Sequence, residues 1–226
     1  MFNLENYHLK SSSFSDALSA RELSYFKEKA ERIEFKKKHI LFKEGSFSKG
    51  VYIVRKGKIK IYKSNPNGAE SIVYIYKKGD YFGYRPLLAE DPNPVSAAAI
   101  DNTVVSYLPK EAFLSLFNRS DTLAKKIVIT LSQEFSVWIN KMTVFTQFSV
   151  KERIALSLLI LSKVYQNNEE KKVIISINRD DFASFVGTAK ESLVRNLRHF
   201  KDEKIISTQG TKIVVMKPDQ LHAYLL

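Results

Sequence analysis

The 226-residue chain contains no cysteine. Disulfides, thiol nucleophiles, cysteine-held iron–sulfur clusters and Cys-type zinc sites are thereby excluded. No apolar run approaches the roughly 18 residues that a membrane helix needs. The first ten residues, MFNLENYHLK, lack a basic stretch followed by an apolar one, which is the mark of a secretory leader. The expectation is a cytoplasmic protein with no membrane partner. Acidic residues are also in short supply: 24 Asp and Glu stand against 36 Lys and Arg, a formal charge of +12. Such an excess favours a polyanionic partner, because Lys and Arg neutralise phosphates and release condensed counterions. Charge alone does not choose among DNA, RNA and an anionic surface. There is no phosphate-binding glycine loop, no paired acid cluster and no Ser-His-Asp order. The four histidines (His8, His39, His199, His222) are scattered and suggest no metal or haem site. Enzyme readings therefore lack a site, and no cofactor is required.

What the chain does have is a clear succession of patterns. Hydrophobic residues make up 44% of it, ordinary for a globular protein, and its length suffices for two modest domains. Residues 19–33 read as a helix, with Leu23, Phe26, Ala30 and Ile33 at helical spacing and a capping box formed by Ser19 and Glu22. From about Ile40 the period changes. Residues 51–54, 58–62, 71–76, 95–100 and 104–108 are short runs of β-branched and aromatic residues, punctuated by Gly45, Gly50, Gly57, Asn65-Pro66-Asn67-Gly68 and Gly79. In 58–62 the alternation is clear, with Ile59 and Ile61 pointing one way and Lys58 and Lys60 the other. These five runs, in a region whose spacing leaves room for seven or eight short strands and no alternating helices, argue for an antiparallel roll of jelly-roll type.

Helical character returns at residues 110–117 and again at 122–148. The second stretch carries Ala124, Val128, Leu131, Phe135, Trp138, Met142 and Phe145, spaced by alternating steps of 4 and 3. That is the seam of a coiled coil, and so long and narrow a stripe predicts dimerisation through this helix. Ser149 and Glu152 form a second capping box that restarts helix with Ile154, Leu156, Leu158, Leu159 and Leu161, and residues 166–172 read as a polar loop. The fold class is α+β in three parts: a sensor-like β-roll over residues 1–118, a dimerisation helix over 119–148 and a C-terminal domain over 149–226.

The C-terminal domain carries the most specific signal. Residues 178–200 read NRDDFASFVGTAKESLVRNLRHF. Asn178 can cap a helix whose first turn holds Asp180 and Asp181, favourable against the helix dipole. Phe182, Phe185 and Val186 give it a buried face, and Ala183 is small enough for a second helix to cross closely. Gly187 stands where a helix can end in a left-handed turn. Thr188 is placed to cap the next helix, with Glu191 completing a third capping box, and Leu193 and Leu197 supply its inner face. Helix, short Gly-containing turn and second helix make a helix-turn-helix. The second helix, at about residues 189–200, turns Lys190, Glu191, Ser192, Arg195 and Arg198 outward, where Arg can clamp guanine and Glu can accept from cytosine. Lys201 follows as a phosphate contact and His199 lies on the same helix. Residues 204–215 then read strand, turn, strand: a wing. Between Gly187 and Lys217 seven Lys or Arg face three acids. The expected partner is double-stranded DNA.

With these motifs in hand, the chain resembles the family of the cyclic-AMP receptor protein and Fnr over nearly all of its length. Val186-Gly187, Lys190-Glu191-Ser192 and Arg195 stand where that family has V-G-x-x-R-E-x-x-x-R, with Lys in place of the first Arg. The resemblance implies that Lys190, Glu191 and Arg195 read bases, with Thr188, Ser192, Arg198 and Lys201 beside them. It also implies a homodimer and RNA polymerase as partners. Lysine is a point charge without the planar fork of arginine, so preference at that contact should be looser.

The sensor resembles the family's cyclic-nucleotide-binding fold through Gly45, Gly57 and the run Gly79-Asp80-Tyr81-Phe82-Gly83. The family pattern then has Glu for the ribose and, about a dozen residues later, Arg-Ser for the cyclic phosphate. This chain has Tyr84 and, in Pro94-Val95-Ser96, no arginine; Arg85 is the one candidate to replace it. Candidate ligand-site residues are Tyr81, Phe82, Gly83, Tyr84, Arg85, Val95 and Ser96; the domain is expected either to take a small-molecule effector other than cyclic AMP or to serve as a dimer scaffold that senses nothing. Two other readings stay open: a cyclic-AMP-responsive regulator, and a ligand-binding interaction module without DNA function. An RNA binder would need aromatic stacking positions on an exposed sheet, which are not evident.

Overall fold

The structure, a computed structural model, describes residues 3–9, 13–166 and 172–225. Two short 3-10 turns, Leu4–Tyr7 and Phe14–Ala17, precede α1 (Ala20–Lys29). Next come β1 (Glu31–Phe35), β2 (Ile40–Phe42), β3 (Gly50–Lys56), β4 (Ile59–Ser64), β5 (Glu70–Tyr76), β6 (Tyr81–Phe82), α2 (Tyr84–Ala89), β7 (Ser96–Ala99) and β8 (Thr103–Pro109). The helices α3 (Lys110–Arg119), α4 (Asp121–Gln147) and α5 (Val150–Tyr165) follow. The chain ends with β9 (Ile175–Ser176), α6 (Arg179–Val186), α7 (Lys190–Asp202), β10 (Ile206–Gln209), β11 (Lys212–Val215) and α8 (Pro218–Ala223). It divides into two compact units, one of Lys10–Lys63 and Val73–Gln133, the other of Met1–Leu9, Ser64–Ile72 and Glu134–Leu226. Most of the polar loop expected at 166–172 lies outside the described residues.

In the first unit the strands form two antiparallel sheets, ordered β1-β8-β3-β6 and β2-β7-β4-β5. The expected α+β roll is present. Alternation along β3 sends residues into two cores. Val51 and Ile53 join Phe14, Phe26, Phe113, Leu123 and Ile127 under the helices. Val54 meets Ile59, Ile61, Tyr76, Phe82 and Val105 between the sheets. A fully buried side chain of this size contributes about 1.5–3 kcal/mol, so these residues hold the roll closed around its own interior.

One expected helix is too long. The capping box of Ser19 and Glu22 forms, with the Glu22 carboxylate accepting from the Ser19 N–H at 2.7 Å. The helix stops at Lys29, however, and residues 31–35 are β1, with Ile33 opposite Val105 of β8. The apolar spacing at 23, 26, 30 and 33 suits a helix. Ile33 and Phe35 also suit a strand of period two, and the open edge of β8 decides the matter.

In the second unit α5 is the hub. The capping box of Ser149 and Glu152 starts it, and Ile154, Leu156, Leu158, Leu159 and Leu161 are buried. Against it pack α6, α7, α8 and β9, while β10, β11 and β9 form a small antiparallel sheet.

Candidate nucleic-acid interface

The helix-turn-helix is built locally. Asn178 caps α6 by accepting from the Asp181 N–H at 2.8 Å. The helix ends at Gly187, whose φ of +71° is left-handed; a Cβ there would lie 2.6 Å from a ring carbon of Phe145. Glycine thus meets two demands at once, the turn and the close approach of an aromatic ring. The N–H groups of Gly187 and Thr188 both donate to the Ala183 carbonyl. That bond places Thr188 inside the turn, and it does not cap α7. The N-cap is Ala189, without a side-chain bond, and α7 begins at Lys190 and runs to Asp202. The third capping box is therefore absent.

Leu193, Leu197 and Phe200 bury the inner face of α7. Lys190, Glu191, Arg195, Arg198 and Lys201 are exposed, and Ser192 and Thr188 are half-buried. The predicted outward set is thus on one accessible face. Val194, 47% exposed, shares that face and was missed; its position one residue before Arg195 was the available signal. Asp180, favourable in sequence only as a charge against the helix dipole, also pairs its carboxylate with the Lys190 ammonium at 2.8 Å. Arg179 was also missed. Its guanidinium donates to the carbonyls of Gly210 at 3.0 Å and Thr211 at 3.4 Å, tying the wing turn to the start of α6. Burial holds its pKa below the usual arginine value. His199 is half-buried, and its Nε2 lies against the Lys151 ammonium and 3.2 Å from the Glu203 carboxylate, so its ring is engaged within the protein. The wing itself is a two-stranded ribbon with Ile206 opposite Val215 and Gln209 opposite Lys212.

Helix α4 has two apolar sides. Leu123, Ile127, Val137 and Val144 are buried. Of the expected seam, Val128, Phe135, Met142 and Phe145 are exposed, by 58%, 66%, 66% and 46%, whereas Ala124, Leu131 and Trp138 are half-buried. Ile129 and Ile139 extend the exposed side. Part of the stripe thus serves the chain's own packing: Leu131 leans on the core under the roll, and Phe145 rests on Gly187.

The candidate ligand residues divide likewise. Phe82, Gly83, Tyr84, Arg85 and Val95 line a cavity of the roll, together with Tyr76. Tyr81 does not. It is buried on the opposite side, edge-on to Phe14, with its hydroxyl 2.9 Å from that of Thr130. Thr130 donates to the Lys126 carbonyl, so Tyr81 is the donor in that pair. Ser96 is also spent elsewhere, accepting from the Glu44 N–H at 2.9 Å. The cavity measures about 30 Å³, room for a water or two, whereas small-molecule sites run to roughly 300–1,000 Å³. Its space is taken by stacked rings: Tyr76 on Phe82 at 4.9 Å and Phe82 on Tyr52 at 5.3 Å. Burial raises the Tyr52 phenol to about 12, so it stays neutral. Val95, at the position of the family's phosphate-binding arginine, offers no charge; Arg85 is the cation of the lining, and the stacked rings take up the volume beside it.

Among the described residues no group of His, Asp and Glu is placed to hold a metal ion, and no helix is long and apolar enough to cross a membrane. Comparison with known proteins gives matches over both units. Residues 32–120 match the cyclic nucleotide-binding domain family, and residues 152–224 match the Crp-like helix-turn-helix domain family. The chain is 26% identical to the transcriptional activator protein Anr of Pseudomonas protegens, over 83% of this chain and 78% of that one. It is 25% identical to the fumarate and nitrate reduction regulatory protein of Vibrio cholerae, over 80% and 73%. The solved structure of FixK2 from Bradyrhizobium japonicum superposes with a TM-score of 0.77 at 21% identity, covering 86% of this chain and 96% of that one. The relatives are transcription regulators, not enzymes.

Proposed function

The chain belongs to the Crp/Fnr family of DNA-binding transcription regulators, and on that footing we propose that it acts as a homodimer reading a roughly palindromic operator through α7. The observation that carries this reading is the face of α7, where Lys190, Glu191, Val194, Arg195 and Arg198 are all accessible beside a wing. Arg195 is the main base reader, since its fork matches guanine O6 and N7. Val194 suits the methyl group of a thymine, an apolar contact available only in the major groove. Arg198 and Lys201 hold phosphates and fix the register. Met142 and Phe135 on α4 meet their copies across a two-fold axis, which places two recognition helices about 34 Å apart. Cytoplasmic DNA is the target and RNA polymerase the further partner, as membership of the family suggests.

The effector, if the roll takes one, is not cyclic AMP. Desolvating a cyclic phosphate has to be offset by charge-assisted hydrogen bonds, and at the position of the family's arginine Val95 supplies none. The ring stack also leaves too little volume.

Selection from a random duplex pool tests the DNA reading. The expected product is a two-fold site, and Arg195→Ala should lose about 1–3 kcal/mol and flatten preference at one base pair in each half. Recovery of an asymmetric single half-site, or an unaltered preference in the variant, contradicts it.

A further inference from the structure

We propose that Asp180 governs how Lys190 is used on DNA: its carboxylate holds the lysine in the free protein, so that Lys190 engages only an acceptor able to displace it. The inference rests on the DNA reading above and assigns a specificity role to a residue outside the recognition helix.

Asp180 is the second residue of α6 and Lys190 the first of α7, and their side chains meet across the turn at 2.8 Å. Among the described residues neither side chain has another ionic partner. The other exposed cations of α7, Arg195, Arg198 and Lys201, have no carboxylate bound to them among the described residues. The one base-reading position that carries lysine is thus also the one held by an acid.

Two physical consequences follow. First, the leading helix of a helix-turn-helix crosses the DNA backbone, and its N-terminal N–H groups suit phosphate. A bare carboxylate at Asp180 would repel that backbone; the Lys190 ammonium cancels the repulsion. Second, lysine has a flexible stem and no fixed fork, so by itself it attaches to any nearby phosphate. Held by Asp180, it cannot add freely to non-specific binding. The pair is exposed, at 51% and 74% of the side chains, so water screens it and it exchanges readily. A guanine edge or a well-placed phosphate can take the ammonium over, whereas a poorly placed one cannot. Asp180 therefore lowers affinity for all DNA and lowers it most for the wrong DNA.

The test compares Asp180→Asn, Lys190→Met and the double variant on two duplexes of equal length, the selected operator and a random sequence. Asparagine keeps the shape and removes the charge, and the helix cap stays with Asn178 and Asp181. Asp180→Asn should bind the random duplex about 3–10-fold more tightly and the operator less than threefold more tightly. Its salt slope should steepen by about 0.9, the value of one more phosphate contact. In the Lys190→Met background the same change should tighten both duplexes alike, by removing a bare carboxylate, and leave the ratio of operator to random affinity where Lys190→Met put it, because no lysine is left to release. The proposal is overturned if Asp180→Asn keeps the wild-type ratio of operator to random affinity. It is also overturned if the charge change shifts that ratio equally with and without Lys190. A wild-type protein that binds the random duplex yet selects no site defeats the DNA reading itself, and the role given to Asp180 falls with it.

Discussion

Phe135 offers the sharpest test of dimerisation. It is 66% exposed in the single chain, at the middle of α4, and neither of the two cores of the roll includes it. A phenylalanine side chain presents on the order of 200 Å², so about 130 Å² is available to a partner. At roughly 25 cal/mol per Å², burying it yields about 3 kcal/mol. An alanine methyl keeps a little of that, so truncation removes about 2–3 kcal/mol per chain. A two-fold seam uses the residue twice, which makes about 5 kcal/mol per dimer. Because tenfold in affinity is about 1.4 kcal/mol, Phe135→Ala should weaken the dimer on the order of a thousandfold. Phe135→Glu should abolish it at micromolar concentration, since each chain would bury an unpaired carboxylate. Sedimentation equilibrium over a range of loading concentrations reads this directly, with the exposed Lys125→Ala as the control on the same helix. The thermal midpoint of dilute, already monomeric protein should barely move. If Phe135→Ala dissociates within threefold of wild type, the exposed side of α4 is not the dimer seam.

Three further outcomes follow from the geometry. Millimolar cyclic AMP should neither raise the melting temperature nor be needed for operator binding; a micromolar dissociation constant by calorimetry would show that the rings can part and that Arg85 has taken the phosphate. Gly187→Ala should destabilise the C-terminal unit by roughly 1–3 kcal/mol, because alanine resists a φ of +71° and its methyl meets the Phe145 ring; an unchanged urea midpoint would contradict this. Burial pushes Lys141 down from 10.5 to about 8 in the folded chain. Below about pH 8 its charge is therefore a full cost, and stability should rise as pH climbs from about 8 to 10.5, where the unfolded chain binds the extra proton. Lys141→Met should gain about 1–2 kcal/mol at neutral pH, less than the shift alone implies because the side chain is partly in water, and the gain should vanish above about pH 10.5.

What could be read from the sequence was what depends on neighbours in the chain. The caps at Ser19, Ser149 and Asn178 each span only four residues, and all three form; the one expected at Thr188 does not, because its N–H joins that of Gly187 on the Ala183 carbonyl and α7 starts one residue later. Gly187 was legible for the same reason. The other failures lie where a distant partner decides. Residues 31–35 are compatible with helix and strand alike, and only the edge of β8 selects the strand. Helix α2, six residues long, is too short for any periodicity to announce. The seam residues on α4 satisfied a 4-3 pattern, but a helix apolar on two sides does not declare which side faces its own core. Tyr81 and Phe82 could have been separated, since adjacent strand residues point to opposite faces; only one of them could line the cavity. Asp180 and Arg179 were hidden for another reason. Both act across a turn, on Lys190 and on the wing, and such pairings exist only once the helices have packed. The recognition face is therefore readable from a dozen consecutive residues. The lining of the sensor's cavity comes from β2, β4, β5 and β6, from α2 and from the loop before β7, and there the replacement of two polar anchors by Tyr84 and Val95 was the one local sign of a closed pocket. The structure supplies the rest of that argument: with the anchors gone, nothing rewards an open cavity, and stacking Tyr52, Phe82 and Tyr76 across it recovers the apolar burial that a ligand would otherwise provide.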